Sequence, residues 1–104
     1  MITFINIFTV LPERQQDALE AIQQVYVEVV SCQPGFISAK LLVSKDGIRV
    51  TAIATWETEA DLHVLRHNPK FKDLHNSEFY RKIVSNEPRV YNSVLEISKR
   101  EPNN

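Results

Sequence analysis

The stretch PGFISAKLLVSKDGIRVTAIATWE, from Pro34 to Glu57, constrains the fold more than any other part of the chain. Pro34-Gly35 ends whatever precedes it, because Pro cannot continue a helix and Gly tolerates a left-handed backbone. Ile37, Ala39, Leu41 and Val43 then fall at every second position, the period of a strand running from Phe36 to Ser44. Asp46-Gly47 predicts a tight primed turn, since both residues accept the positive φ that such a turn requires. The return strand, Ile48 to about Glu57, is rich in β-branched residues and closes on Trp56. A hairpin in the middle of a 104-residue chain implies a sheet that the remaining residues cover or extend.

Ile2 to Val10 reads as another strand. Ile2, Phe4, Phe8 and Val10 share one face with Asn6, and Thr3, Ile5, Ile7 and Thr9 share the other. Asn6 is therefore an amide inside an apolar row. Buried without partners it would cost about 1–3 kcal/mol, so it is either bonded to neighbours and water or aimed into a ligand cavity. Leu11-Pro12-Glu13 opens a first helix, predicted over 13–32, with Pro near its first position and an acid in its first turn. Ala18, Leu19, Ile22, Val25, Tyr26 and Val29 form its core-facing stripe, while Gln15, Gln16, Glu20, Gln23 and Gln24 make up most of the wet face. Tyr26 on that stripe packs with its hydroxyl at the rim, or supplies a phenol to a pocket.

Thr58 to Asp61 resembles a capping box with Asp in place of Glu. A helical pair is predicted over 58–85, with Leu62 and Leu65 inward on the first part. Asn68-Pro69 restarts the helix, and Phe71, Leu74, Phe79 and Ile83 make up the second inner stripe. His63 and His67 have metal-ligand spacing on one face, but they point away from Leu62 and Leu65 without an evident third ligand, so a solvated pair is expected. His75 belongs to the inner stripe, as a satisfied core residue or a ligand. Asn86-Glu87-Pro88 ends the helix, Val90 to Ile97 (VYNSVLEI) reads as the last strand, and residues 99–104 as a frayed tail.

Lys and Arg number 12 against 13 Asp and Glu, without a basic stripe or a basic amphipathic face, so neither nucleic acid nor a membrane surface is an expected partner. MITFINIFTV lacks the basic region and cleavage site of a signal peptide. One cysteine, Cys32, excludes an intrachain disulfide framework and fits a reducing cytoplasm; a lone thiol beside a helix end is expected to be inert.

The order strand, helix, strand, strand, helix pair, strand is the ferredoxin-like βαββαβ pattern: an α+β fold with a four-stranded antiparallel sheet and helices on one face. One domain over 1–98 is expected, followed by the tail. Helices would cover the face of Phe4, Phe8, Ile37, Leu41 and Val43. The other face, with Ile5, Ile7, Phe36, Leu42 and Ile53, would stay apolar and uncovered, so a homodimer through the sheet is expected.

INIFTV running into Pro12, Pro34-Gly35-Phe36 before the hairpin, and Trp56-Glu57-Thr58 before the next helix give the chain its family resemblance. From Ile2 to about Ile97 it resembles the antibiotic biosynthesis monooxygenase domain of the dimeric α+β barrel group. That resemblance implies oxidation of an aromatic polyketide or hydroquinone-like small molecule by O₂ without flavin, haem or metal. Asn6 would orient the substrate, Trp56 would be the pocket aromatic or a packing residue, and His75 would act as base or hydrogen-bond partner. Haem-degrading relatives are similar in carrying an Asn on the first strand and a haem-ligating His on the last helical segment, positions that Asn6 and His75 match. Where those relatives carry a Trp between the two, this chain has Leu65, so the cofactor-free reading is preferred over haem. A non-catalytic binding or structural dimer is the third reading.

Overall fold

The computed structural model describes residues 1–75 and 83–102. Its elements are β1 (Ile2–Val10), α1 (Gln15–Glu28), β2 (Phe36–Val43), β3 (Arg49–Trp56), α2 (Glu59–Arg66), α3 (Pro69–His75) and β4 (Ile83–Tyr91). Short 3-10 turns at Pro12–Arg14 and Val30–Cys32 flank α1 and account for the longer span predicted there. The four strands pair antiparallel in the order β2-β3-β1-β4, the ferredoxin-like arrangement. No helix among the described residues is long and apolar enough to cross a membrane.

Alternation in β3 puts Val50, Ala52, Ala54 and Trp56 under the helices, each almost fully buried. Two alanines at the centre of that row leave room for the helix layer to sit close to the sheet. Ala18, Ile22, Val25 and Val29 of the first helical region, and Leu62 and Leu65 of α2, meet this row and the Phe4 and Phe8 rings of β1. Phe71 and Leu74 of α3 pack against the same core as predicted; Phe79 and the side chain of His75 lie outside the described residues.

Expectations from sequence are corrected at three places. The last strand is Ile83–Tyr91, not Val90–Ile97, so the helix does not continue to residue 85, and Asn86-Glu87-Pro88 lies within a strand rather than at a helix end. Pro88 is tolerated because β4 is an edge strand, where a missing N–H need not break a ladder. Pairing with β1 from Thr3↔Tyr91 to Val10↔Ile83 holds it there. Phe36 and Ile37 exchange roles, because the β2–β3 register shifts between Phe36 and Ser38. Phe36 therefore faces the helices against Trp56, and Ile37 is exposed. The hairpin loop is longer than a two-residue primed turn: Gly47 alone has positive φ (+82°) there, and Asp46 does not. Ser44 and Asp46 fill the loop instead. Asp46 accepts from the Ser44 hydroxyl and the Ile48 amide, which hold its carboxyl below the usual range, and it pairs with Arg49 at 2.6 Å.

The Thr58 cap is present: its Oγ1 accepts from the Asp61 amide at 3.1 Å and donates to the Asp61 carboxylate at 2.8 Å. This cap presses Asp61 against Gly35, whose φ is +83°. A Cβ at Gly35 would overlap the Asp61 side chain, whereas one at Gly47 would meet open space. Gly35→Ala is therefore expected to cost about 2–4 kcal/mol, the left-handed strain plus a clash, and Gly47→Ala about 1–2 kcal/mol, the strain alone. Urea denaturation of the two variants measures the difference; equal losses would show that the close approach of Asp61 costs nothing.

Candidate functional site

The helix-facing row of β1 is Phe4, Asn6, Phe8. The two phenylalanines belong to separate core clusters, one around Trp56 and Leu62, the other around Val50 and Ile22. Asn6 stands between them, half-buried, and the Tyr26 ring touches both clusters. Asn86 and Val90, opposite Phe8 and Phe4, are exposed, and Pro88, opposite Asn6, is half-buried. A strip floored by Phe4, Asn6 and Phe8 and flanked by Asn86, Pro88 and Val90 is thus open along the β1–β4 side.

The polar groups on this strip carry hydrogen-bonding capacity that the fold does not use up. Asn86 Nδ2 donates to Asn6 Oδ1 at 3.3 Å, which leaves the Asn6 amide N–H groups without a partner among the described residues. Burial pushes the pKa of the Tyr26 hydroxyl up to about 12, so at neutral pH it is a donor and not a base. At the other end of the strip Arg66 lies over the Phe4 ring, 5.2 Å from its centroid, and forms no ion pair among the described residues. Arg66 also borders a depression of about 60 Å³ with Glu59, Leu62, His63 and Val90. An aromatic floor, an amide donor and an unpaired cation suit a flat molecule with oxygen acceptors or a negative charge.

Of the residues singled out from sequence, Asn6 is on this strip. Trp56 is 1% exposed in the core, its ring edge against Phe36 at 5.4 Å between centroids. His75 is the last residue of α3, and Leu65 is buried beside Trp56. His63 and His67 stack at 4.2 Å, and His67 Nδ1 donates to the His63 carbonyl at 2.9 Å, which occupies one ring nitrogen. Exposed Cys32 donates weakly to the Glu28 carbonyl at 3.7 Å. Sequence reading missed Arg66 and Asn86. Arg66 lies four residues after Leu62 and so on the edge of the inward stripe, a signal that was available. Asn86 gave none, because its meeting with Asn6 joins residues 80 apart.

A sequence profile described as antibiotic biosynthesis monooxygenase matches residues 1–77. Tetracenomycin-F1 monooxygenase from Streptomyces glaucescens is 33% identical over 72 residues, which are 69% of this chain and 64% of that protein, so the match spans less than two thirds of the relative. The ActVA-Orf6 monooxygenase of Streptomyces coelicolor, solved with nanaomycin D, superposes with a TM-score of 0.81 at 22% identity, covering 95% of this chain and 92% of the other. A point mutant of SnoaB, a cofactor-independent oxygenase from Streptomyces nogalater, gives 0.78 at 21% identity over 94% and 97%. At such identities the two structures establish a common fold.

Proposed function

Because the chain belongs to the antibiotic biosynthesis monooxygenase family, we propose that it oxidises a phenolic or hydroquinone-like aromatic molecule with O₂ and without a bound cofactor. The observation that carries this reading is the Asn6 amide, its N–H groups without a partner among the described residues, on an apolar strip exposed beside β4. Tetracenomycin F1 and nanaomycin D, named with two of the similar proteins, support an aromatic substrate class.

The chemistry asks little of the protein. A phenol that loses its proton becomes electron-rich and passes one electron to O₂. The ring radical and superoxide then join in a C–O bond at a ring carbon that carries hydrogen. Cleavage of the O–O bond with loss of that hydrogen leaves a quinone carbonyl, and the second oxygen atom departs as water. Arg66 would favour the phenolate over the phenol by its charge. Asn6, with Tyr26, would hold the ring oxygens by hydrogen bonds, and the Phe4 and Phe8 surfaces would take the ring face. Among the described residues no helix covers the outer sheet face, with Ile5, Ile7, Leu42 and Ile53, and a homodimer through that face is part of the proposal.

The test is oxygen uptake by the purified protein with 1-naphthol, corrected for autoxidation and followed by quinone absorbance. Uptake of one O₂ per quinone formed, with isotope from ¹⁸O₂ in the new carbonyl, is expected. A haemin titration is the counter-test: a Soret shift that disappears in His75→Ala, with no naphthol turnover, would overturn the cofactor-free reading.

A further inference from the structure

The oxidation begins with the loss of a phenolic proton, and the polar groups along the strip are not suited to take it. Asn6 and Asn86 are amides, Arg66 is a cation, and the Tyr26 hydroxyl, with its pKa pushed up to about 12, is a donor. His75, the base that the family resemblance suggests, ends α3, and its side chain lies outside the described residues.

A base stands at the Phe4 end. Glu59, Leu62, His63 and Arg66 recur at three- and four-residue steps and so share one face of α2. Together with Val90 of β4 they border the depression of about 60 Å³, which has room for a water molecule. The depression adjoins the strip, because Val90 is the cross-strand partner of Phe4 and Arg66 lies over the Phe4 ring. His63 is thus one turn of helix from the cation of the strip and on the same side. The His67 bond goes to the His63 carbonyl and not to its ring, so among the described residues neither ring nitrogen of His63 has a hydrogen-bond partner. The charges around the imidazole are balanced. Glu59 and Arg66 carry opposite signs, His67 stacks on the ring, and the helix-facing row of β4, Asn86, Pro88 and Val90, is uncharged. Helix α3, which packs against α2, carries Lys70, Lys72 and Asp73, and none of these borders the depression.

We propose that His63 is the general base of the oxidation, taking the phenolic proton while Arg66 holds the oxygen as phenolate. This rests on the cofactor-free reading above and adds to it the group that moves the proton. The phenol O–H donates to a ring nitrogen of neutral His63, directly or through one water in the depression, and the proton passes to the ring. Electron transfer to O₂ and C–O bond formation give a peroxide anion, which takes that proton back from the imidazolium and becomes a hydroperoxide. Neutral again, His63 accepts the hydrogen of the oxygenated ring carbon as a proton. The C–H electron pair becomes the second bond of the carbonyl, the O–O bond breaks, and hydroxide leaves with the proton as water. Phenol and O₂ thus give quinone and water, and the imidazole is unchanged. Imidazole suits both transfers because its ordinary titration lies closest to neutral pH, whereas a carboxylate such as that of Glu59 is a weaker base.

Oxygen uptake with 1-naphthol, measured from acid to mildly alkaline pH, tests it on the full chain, His63→Gln and His63→Ala. Glutamine keeps a polar side chain at the position but is no base. The full chain is expected to gain kcat as the imidazole loses its proton, and then to level off. His63→Gln is expected to lose roughly 10²–10⁴-fold in kcat at neutral pH, with a residual rate that keeps climbing with pH as hydroxide replaces the missing base. Free imidazole is expected to restore turnover to His63→Ala in a saturable way. Anaerobic titration with 1-naphthol, followed by its fluorescence, is expected to give the two variants nearly the Kd of the full chain, and far-UV circular dichroism checks their fold. A folded His63→Gln protein with the rate and pH profile of the full chain overturns the assignment. So does a loss of rate that imidazole does not repair and that comes with lost naphthol binding, since His63 then only shapes the site. A full chain that turns over no naphthol at any pH overturns the oxidation reading itself.

Discussion

Asn6→Ala is expected to lower turnover of the hydroquinone-like substrate by about ten- to a thousandfold, the range seen when one oriented donor to a developing negative charge is removed. The variant should fold. In the resting protein Asn6 makes one side-chain hydrogen bond among the described residues, to Asn86, and Asn86 is exposed and rehydrates when that bond is lost. The stability cost is then about 0.5–1.5 kcal/mol, far less than the fall in rate. Asn86→Ala is the informative companion, since Asn86 acts on the amide and not on the substrate. It is expected to raise KM severalfold with kcat little changed, because the Asn6 amide keeps its donors but loses the bond that orients them. Steady-state oxygen uptake for both variants, alongside their urea denaturation, separates the two effects. Unchanged kcat/KM in a folded Asn6→Ala protein would remove Asn6 from the site.

Trp56→Ala is expected to have the largest effect on stability. The indole is almost fully buried and packs edge-on against Phe36. Deleting it removes about 3–5 kcal/mol of burial and cavity energy, and the aromatic pair adds about 0.5–1.5 kcal/mol. Against a total of roughly 5–15 kcal/mol for a domain, that is a large share. At about 4–8 °C per kcal/mol, the midpoint should fall by some 15–50 °C. Trp56→Phe keeps much of the packing and tests the other role that sequence allows for this residue. If Trp56 only packs, the Phe variant should turn over substrate within about threefold of the original while melting somewhat earlier. A fall of a hundredfold in a folded Phe variant would place the indole against the substrate.

The most legible parts of the chain were those specified by near neighbours. The alternation in β1 and β3 and the 3.6-residue stripe on α1 need only a window of ten or so residues. The Thr58 cap on Asp61 and the Asn68 cap on Lys70 and Phe71 close within three residues, so their partners are visible in the sequence. The family resemblance has the same source, since its motifs lie at turns and caps where backbone geometry dictates residue type. What the sequence could not decide depends on contacts formed only when distant segments meet. Asn86-Glu87-Pro88 reads locally as a helix stop, and only the β1 ladder, 80 residues away, makes it an edge strand. A one-residue bulge turns Phe36 inward and Ile37 outward, because side-chain direction in a strand reverses with every residue of register. The candidate site depends on such contacts almost throughout: Asn6 was visible as an amide in an apolar row, but the bond that its Oδ1 accepts from Asn86 and the Arg66 charge above Phe4 came from tertiary packing. Local periodicity fixes which face of an element is buried, whereas the gap between packed elements, where a substrate binds, is a property of their assembly.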